Sequence, residues 1–146
     1  MNKNLAIAAA AAVLAAAAFF VYNNAGGNDA TAQRSVLEPS APLTAVQLPP
    51  ELSETAVIGK RAFDAVCADC HGENAAGRNG MGPPLVHKIY EPSHHGDAAF
   101  LLAVRNGVRA HHWDFGSMPA QQGLTDGDVK GITQYVRELQ RANGIN

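Results

Sequence analysis

Cys67 and Cys70 are the only cysteines in this chain of 146 residues, and His71 directly follows the second. The pentapeptide Cys67-Ala68-Asp69-Cys70-His71 constrains the fold more than any other stretch. Two thiols three positions apart on one turn of chain can form thioether bonds to the two vinyl groups of a single porphyrin. The imidazole beside the second thiol can then bring a nitrogen to the iron. C-x-x-C-H is accordingly the attachment signature of c-type haem, and it predicts one covalent haem c. With no further cysteines, the pair cannot complete a four-cysteine zinc site or an iron–sulfur cluster. Three other uses of such a pair stay open. It could be a thioredoxin-like redox pair, although that motif belongs in a strand–helix context and no alternating run is present. It could be a share of a zinc site with His71 and another histidine. It could be a small structural disulfide of an exported chain.

The amino terminus reads as an export element. Asn2, Lys3 and Asn4 form a short polar start, and from Leu5 to Tyr22 no side chain is charged or strongly polar. As a helix, that run would extend about 27 Å, near the thickness of a bilayer's hydrocarbon core. Lys3 should stay cytoplasmic and send the rest of the chain across the membrane. Residues 1–22 are therefore expected to be a signal-anchor. Small-residue patterns at Ala16-Ala17-Ala18 and Ala30-Thr31-Ala32 offer the alternative of cleavage to a soluble exported form. Lys+Arg number 11 against 13 Asp+Glu, and no basic run suggests nucleic acid.

Residues 23–52 carry Asn-Asn, Gly-Gly, Pro39, Pro42 and Pro49-Pro50 with no periodic apolar pattern, and are expected to form a flexible linker. The folded part, residues 53–146, reads as all-α. Ser53 can cap a helix with Glu54 in its first turn and Ala56, Gly59, Phe63 and Val66 on one stripe. Asp97 to Arg105 suits a short helix ended by Asn106-Gly107. Thr125 with Asp128 three positions on suits a capping box, followed by an apolar face of Val129, Ile132, Tyr135, Val136 and Leu139. Long loops between these helices argue for a cofactor that replaces the missing core.

Taken together and in this order, several segments resemble the class I c-type cytochromes. They are Gly59-Lys60-Arg61-Ala62-Phe63, Cys67 to Gly72, Gly82-Pro83-Pro84-Leu85, Met118-Pro119 and the stretch Ile132 to Leu139. The resemblance covers about Ser53 to Ala142 and implies a small helical domain around one haem. It implies His71 as proximal ligand and Met118 as distal ligand, with the Pro83 carbonyl accepting from the other ring nitrogen of His71. A thioether is a soft, neutral ligand, and His/Met ligation raises the iron's reduction potential. Met81 is the rival methionine. Gly59 and Phe63 are expected to pack on the last helix near Tyr135.

His87, the pair His94-His95 and the pair His111-His112 are expected to be solvated loop residues, since adjacent histidines rarely point at one metal. His111 or His112 could replace Met118 on the iron. The resulting expectation is a non-enzymatic, single-electron carrier on the periplasmic side of a bacterial inner membrane. By family similarity its partners would be a quinol–cytochrome c reductase and a terminal oxidase. The alternatives are a haem enzyme or gas sensor with a displaceable ligand, or a dedicated electron-transfer subunit of a larger oxidoreductase.

Overall fold

A computed structural model describes residues 38–146; the expected signal-anchor and residues 23–37 of the expected linker lie outside the described residues. Among the described residues no helix is long and apolar enough to cross a membrane.

Among the described residues four α-helices make the frame: α1 (Glu54–Val66), the single turn α2 (Ala68–His71), α3 (Asp97–Asn106) and α4 (Asp126–Ala142). Short 3-10 turns occupy Glu73–Ala75 and Lys88–Tyr90. Strand pairing among the described residues is confined to the isolated bridges Arg78–Gly82 and Val108–Met118. The ends are capped as the sequence requires. Ser53 Oγ accepts from the amide of Ala56, Thr125 and Asp128 form a reciprocal capping box, and Gly107 closes α3 with a positive φ.

The core is the crossing of α1 over α4. Ala56, Phe63, Ile132, Tyr135, Val136 and Leu139 are buried there together with Ala75 and Val86. Phe63 meets Tyr135 edge to face, with ring centroids 5.6 Å apart. Helix–helix axes usually stay 8–10 Å apart, and side chains decide the value. Here two glycines allow backbone to touch backbone, since a Cβ on Gly59 would lie 1.8 Å from the carbonyl oxygen of Gly131.

Residues 38–52 differ from the expected free linker. The amides of Leu43 and Thr44 both donate to the Ala76 carbonyl, at 3.1 and 3.0 Å, and Ser40 and Asn79 pair through their backbones. The side chain of Asn143 brackets Gln47, accepting from its amide at 2.9 Å and donating to its carbonyl at 2.8 Å. Val46 and Leu52 pack against the core. The segment's apolar residues follow no helical or alternating pattern. It is held because the loop after the cysteine motif and the end of α4 present it with backbone partners.

Three polar residues of α4 are buried with the apolar stripe: Thr133, whose hydroxyl donates to the Val129 carbonyl, Arg137 and Gln140. Arg137 reaches Asp97 Oδ1 at 2.8 Å, the Tyr90 carbonyl at 2.6 Å and the carbonyl of His95, and its guanidinium lies over the Phe100 ring. Gln140 donates to the carbonyls of Leu85 and Tyr90 at 2.8 and 3.0 Å. Between them Arg137 and Gln140 satisfy the otherwise orphaned carbonyls of residues 85–95, which fastens that loop to α4.

Glu138 ties the start of α1 to α4, accepting from the Ser53 amide and hydroxyl at 3.0 and 2.6 Å. Burial alone would raise its pKa. The hydrogen bonds from Ser53 and Gln134, with Arg141 nearby, outweigh that and hold it below the ordinary glutamate value. A carboxylate depressed in the folded state contributes stability above its unfolded pKa, and that contribution is lost as pH falls through the folded value. The melting temperature of the haem-loaded protein should therefore drop at pH values below about 4, near the usual glutamate pKa. Glu138→Gln should lower the melting temperature at neutral pH and flatten the acid limb. An acid limb as steep as that of the parent would contradict the assignment.

Candidate functional site

The C-terminus of α1 and the turn α2 form one continuous scaffold for the cysteine motif. Cys67 closes α1 by donating to the Phe63 carbonyl at 2.7 Å, and its own carbonyl accepts from Cys70 and His71 at 3.1 and 2.9 Å. Cys67, Cys70 and His71 therefore occupy one turn and line one wall of a cavity of about 460 Å³. The Gly82–Pro84 segment presses on that turn from below, since a Cβ on Gly82 would lie 2.7 Å from the Cys70 carbonyl oxygen. This close approach sets Pro83 under the histidine, and His71 Nδ1 lies 2.9 Å from the Pro83 carbonyl oxygen. A carbonyl can only accept, so Nδ1 carries the proton and Nε2 keeps its lone pair. Burial lowers the His71 pKa against the opposing effect of that hydrogen bond, which keeps the ring neutral and able to ligate.

The facing wall comes from α3 and the loop after it. Phe100, Ala103 and Val104 supply apolar surface, and Met118 lines the same cavity. Met118 and Val108 exchange both backbone hydrogen bonds at 2.9 Å, and the Gln121 amide donates to the Val104 carbonyl. The loop that carries Met118 is thus stitched to the end of α3. Met81 is 47% exposed and sits at the rim.

The cavity suits a flat apolar group anchored by sulfur and nitrogen. Its walls bring together two thiols, an imidazole nitrogen and a thioether. Trp113, also on the wall, has a buried indole N–H with no acceptor in hydrogen-bonding geometry. The Tyr90 hydroxyl is close enough to feel that N–H, although burial dominates and raises the tyrosine pKa. Tyr90, Trp113 and Phe115 were not legible as wall residues in the sequence, because loop aromatics carry no periodic signal.

The competing uses of the cysteines fare poorly. Burial, reinforced by Cys70, pushes the Cys67 thiol up to about 11. A reactive redox pair needs the opposite shift, toward a stabilised thiolate. The two cysteines are not bonded to each other. Among the described residues the metal-capable grouping is formed by His94, His95 and His112, and it excludes Cys67, Cys70 and His71.

His94, His111 and His112 are exposed loop residues, as expected, but contrary to the expectation that adjacent histidines do not point at one metal, His94, His95 and His112 come together. The rings of His94 and His95 lie 4.7 Å apart, and His112 lies 5.5 and 5.4 Å from them. His111 lies beside His112, with ring centroids 4.2 Å apart and the planes tilted by 47°. Partial loss of hydration and the neighbouring imidazoles of His111, His95 and His94 hold His112 below the ordinary histidine value. His87 stays apart, edge-on to Trp113 at 5.2 Å.

The motif, the helix order and the cavity agree with comparison to known proteins. Residues 56–140 match the family model for cytochrome c. The chain belongs to the cytochrome c family. Membership implies a covalently bound haem c, in line with the thiols, imidazole and thioether on the cavity walls. Among curated proteins, the chain is similar to the cbb3-type cytochrome c oxidase subunit CcoP of Azospirillum brasilense. They are 38% identical over 87 residues, covering 56% of this chain and 27% of that protein. It is also similar to CcoP of Rhodobacter capsulatus, 33% identical over 89 residues, or 58% of this chain and 29% of that one. The chain thus spans less than a third of the length of these relatives. No solved structure matches it significantly.

Proposed function

We propose that the chain is a one-electron haem c domain that delivers electrons into a respiratory oxidase of the cbb3 type. In this reading it is a dedicated electron-transfer partner of the complex rather than a freely roaming shuttle. Its likeness over the haem domain to subunits named for that oxidase supports the reading. The observation that carries it is that a nitrogen donor and a thioether, His71 and Met118, line the same largely apolar cavity as the two thiols. The Pro83 carbonyl lies 2.9 Å from His71 Nδ1 and leaves Nε2 free, and Met118 lines the same cavity on a loop paired with Val108.

Cys67 and Cys70 would hold the porphyrin through thioether bonds, His71 Nε2 would take the proximal position, and Met118 Sδ the distal one. Haem c, when bound, supplies an iron that alternates between ferrous and ferric states. The chain's own residues do the rest. The Pro83 carbonyl fixes the imidazole's tautomer and orientation. Phe63, Phe100, Val104 and Ile132 exclude water, which limits solvent reorganisation when the charge changes. The Trp113 N–H offers the cavity one hydrogen-bond donor. No general acid or base and no substrate site is needed, and the role is not enzymatic. Residues 1–22 would anchor the chain in a bacterial inner membrane with residues 53–146 on the periplasmic side. A quinol–cytochrome c reductase would be the electron source.

The test mixes the anaerobically reduced, haem-loaded chain with dioxygen, with and without a purified cbb3-type oxidase. Oxidation should be slow alone and accelerate in proportion to added oxidase. Fast oxidation by dioxygen alone would sink the proposal and favour a ligand-exchanging haem enzyme or sensor.

A further inference from the structure

Residues 91–95 fold into a tight turn in which the amides of His94 and His95 both donate to one acceptor, the Glu91 carbonyl, at 3.0 and 2.8 Å. That turn is why two adjacent histidines, which an extended chain would splay apart, come to one side here. The loop 109–117 brings His112 against them, and the candidate nitrogens of His94, His95 and His112 all lie within 4.8 Å of one another. Nitrogens on a tetrahedral zinc at about 2.0–2.1 Å stand roughly 3.3 Å apart. Closing the remaining gap takes about 1.5 Å, within the reach of side-chain torsions alone.

The second feature is the partner of the His95 ring. His95 Nδ1 lies 2.7 Å from the Ile89 carbonyl oxygen. The carbonyl must accept, so Nδ1 bears the proton and Nε2 is free. A ligating histidine that donates its other N–H to a backbone carbonyl is the usual outer support of a metal site. That support is itself braced, because Arg137 binds the carbonyls of Tyr90 and His95 from the buried side.

We infer that His94, His95 and His112 form a binding site for one divalent transition-metal ion of the Zn²⁺ or Cu²⁺ class, separate from the haem. Three neutral imidazoles with a fourth position left to water suit these ions and offer little to Mg²⁺ or Ca²⁺. The ion would clip the turn at 91–95 to the loop 109–118. His95 and His112 also line the haem cavity, so the clip would stand at its rim and brace the loop carrying Met118. The site requires that a group other than His112 takes the sixth position on the haem iron.

The test uses the full haem-loaded chain and Zn²⁺ alone, which is redox-inert toward haem, in competition with a chromogenic chelator. One equivalent should bind per chain. His95→Gln and His112→Gln should each weaken binding about tenfold or more, in line with the loss of site residues elsewhere. His111→Gln, outside the set of three, should change it less than about threefold. The haem spectrum reports folding, and His94→Gln replaces His95→Gln if that variant fails to load haem. Absence of Zn²⁺ binding, or binding that His112→Gln and His95→Gln (or its replacement) leave unchanged, would overturn the site. So would equal losses at His111, which would mark indiscriminate capture by surface imidazoles. A changed haem spectrum in His112→Gln that still carries its full haem would also overturn it, by placing that residue on the iron.

Discussion

Replacing Gly59 with alanine is expected to destabilise the haem-loaded protein by about 2–3 kcal/mol, at the upper end for overpacking a tight core. The added methyl would lie 1.8 Å from Gly131 O, 2.1 Å from Gly131 C and 2.7 Å from Ile132 N. All three are backbone atoms, so no side-chain rotation can make room. α1 and α4 must separate instead, and the edge-to-face contact of Phe63 with Tyr135 loosens with them. Alanine is the better helix former by about 1 kcal/mol, which offsets only part of the loss. The reciprocal change is gentler. A Cβ on Gly131 would meet Gly59 no closer than 3.2 Å, so Gly131→Ala should cost clearly less. Urea unfolding of the two variants measures this: the midpoint should fall furthest for Gly59→Ala with an unchanged slope. Equal midpoints for the two would mean that the helices do not cross as closely as described.

The second large effect is expected at Met118. Met118→Ala should lower the reduction potential by on the order of a tenth of a volt or more, within the roughly 0.8 V that axial ligands span. It should also open the iron to carbon monoxide. The substitution is clean because the backbone pairing of residue 118 with Val108 does not involve the side chain. The loop therefore stays in place while the thioether disappears. Met81→Ala is the control, since Met81 is 47% exposed at the cavity rim and should leave potential and ligand access unchanged. A Met118→Ala protein with the parent's potential would move the sixth ligand elsewhere, with His111 and His112 the nearest alternatives on the same wall.

The sequence was legible where rules are local. Ser53, Thr125 with Asp128, and Gly107 mark helix ends through contacts only a few residues long. The stripe from Val129 to Leu139 follows helical periodicity directly. The approach of Gly59 and Phe63 to the last helix also matches expectation. What escaped notice depends on residues distant in sequence. Residues 38–52 look like a linker because their partners, the Ala76 carbonyl and the Asn143 side chain, are supplied by other parts of the fold. The burial of Arg137 and Gln140 has no local signal, because it rests on carbonyls that the loop at 85–95 presents to them. At the site, Cys67, Cys70, His71 and Met118 share one cavity wall to wall, while Trp113 and Tyr90 join them through loop geometry that no pattern announces. His94, His111 and His112 read correctly as solvated loop residues, but the convergence of the histidines is not legible for a similar reason. Adjacent side chains converge only because one carbonyl, that of Glu91, gathers both amides.

The most direct test of the electron-transfer account is the visible spectrum of the ferrous, haem-loaded chain before and after carbon monoxide. A c-type haem spectrum that carbon monoxide leaves unmoved is the predicted result, because an iron closed by His71 and Met118 has no position to offer. A Soret band that shifts on adding the gas would contradict it, and would mean an exchangeable site where the account requires a closed one.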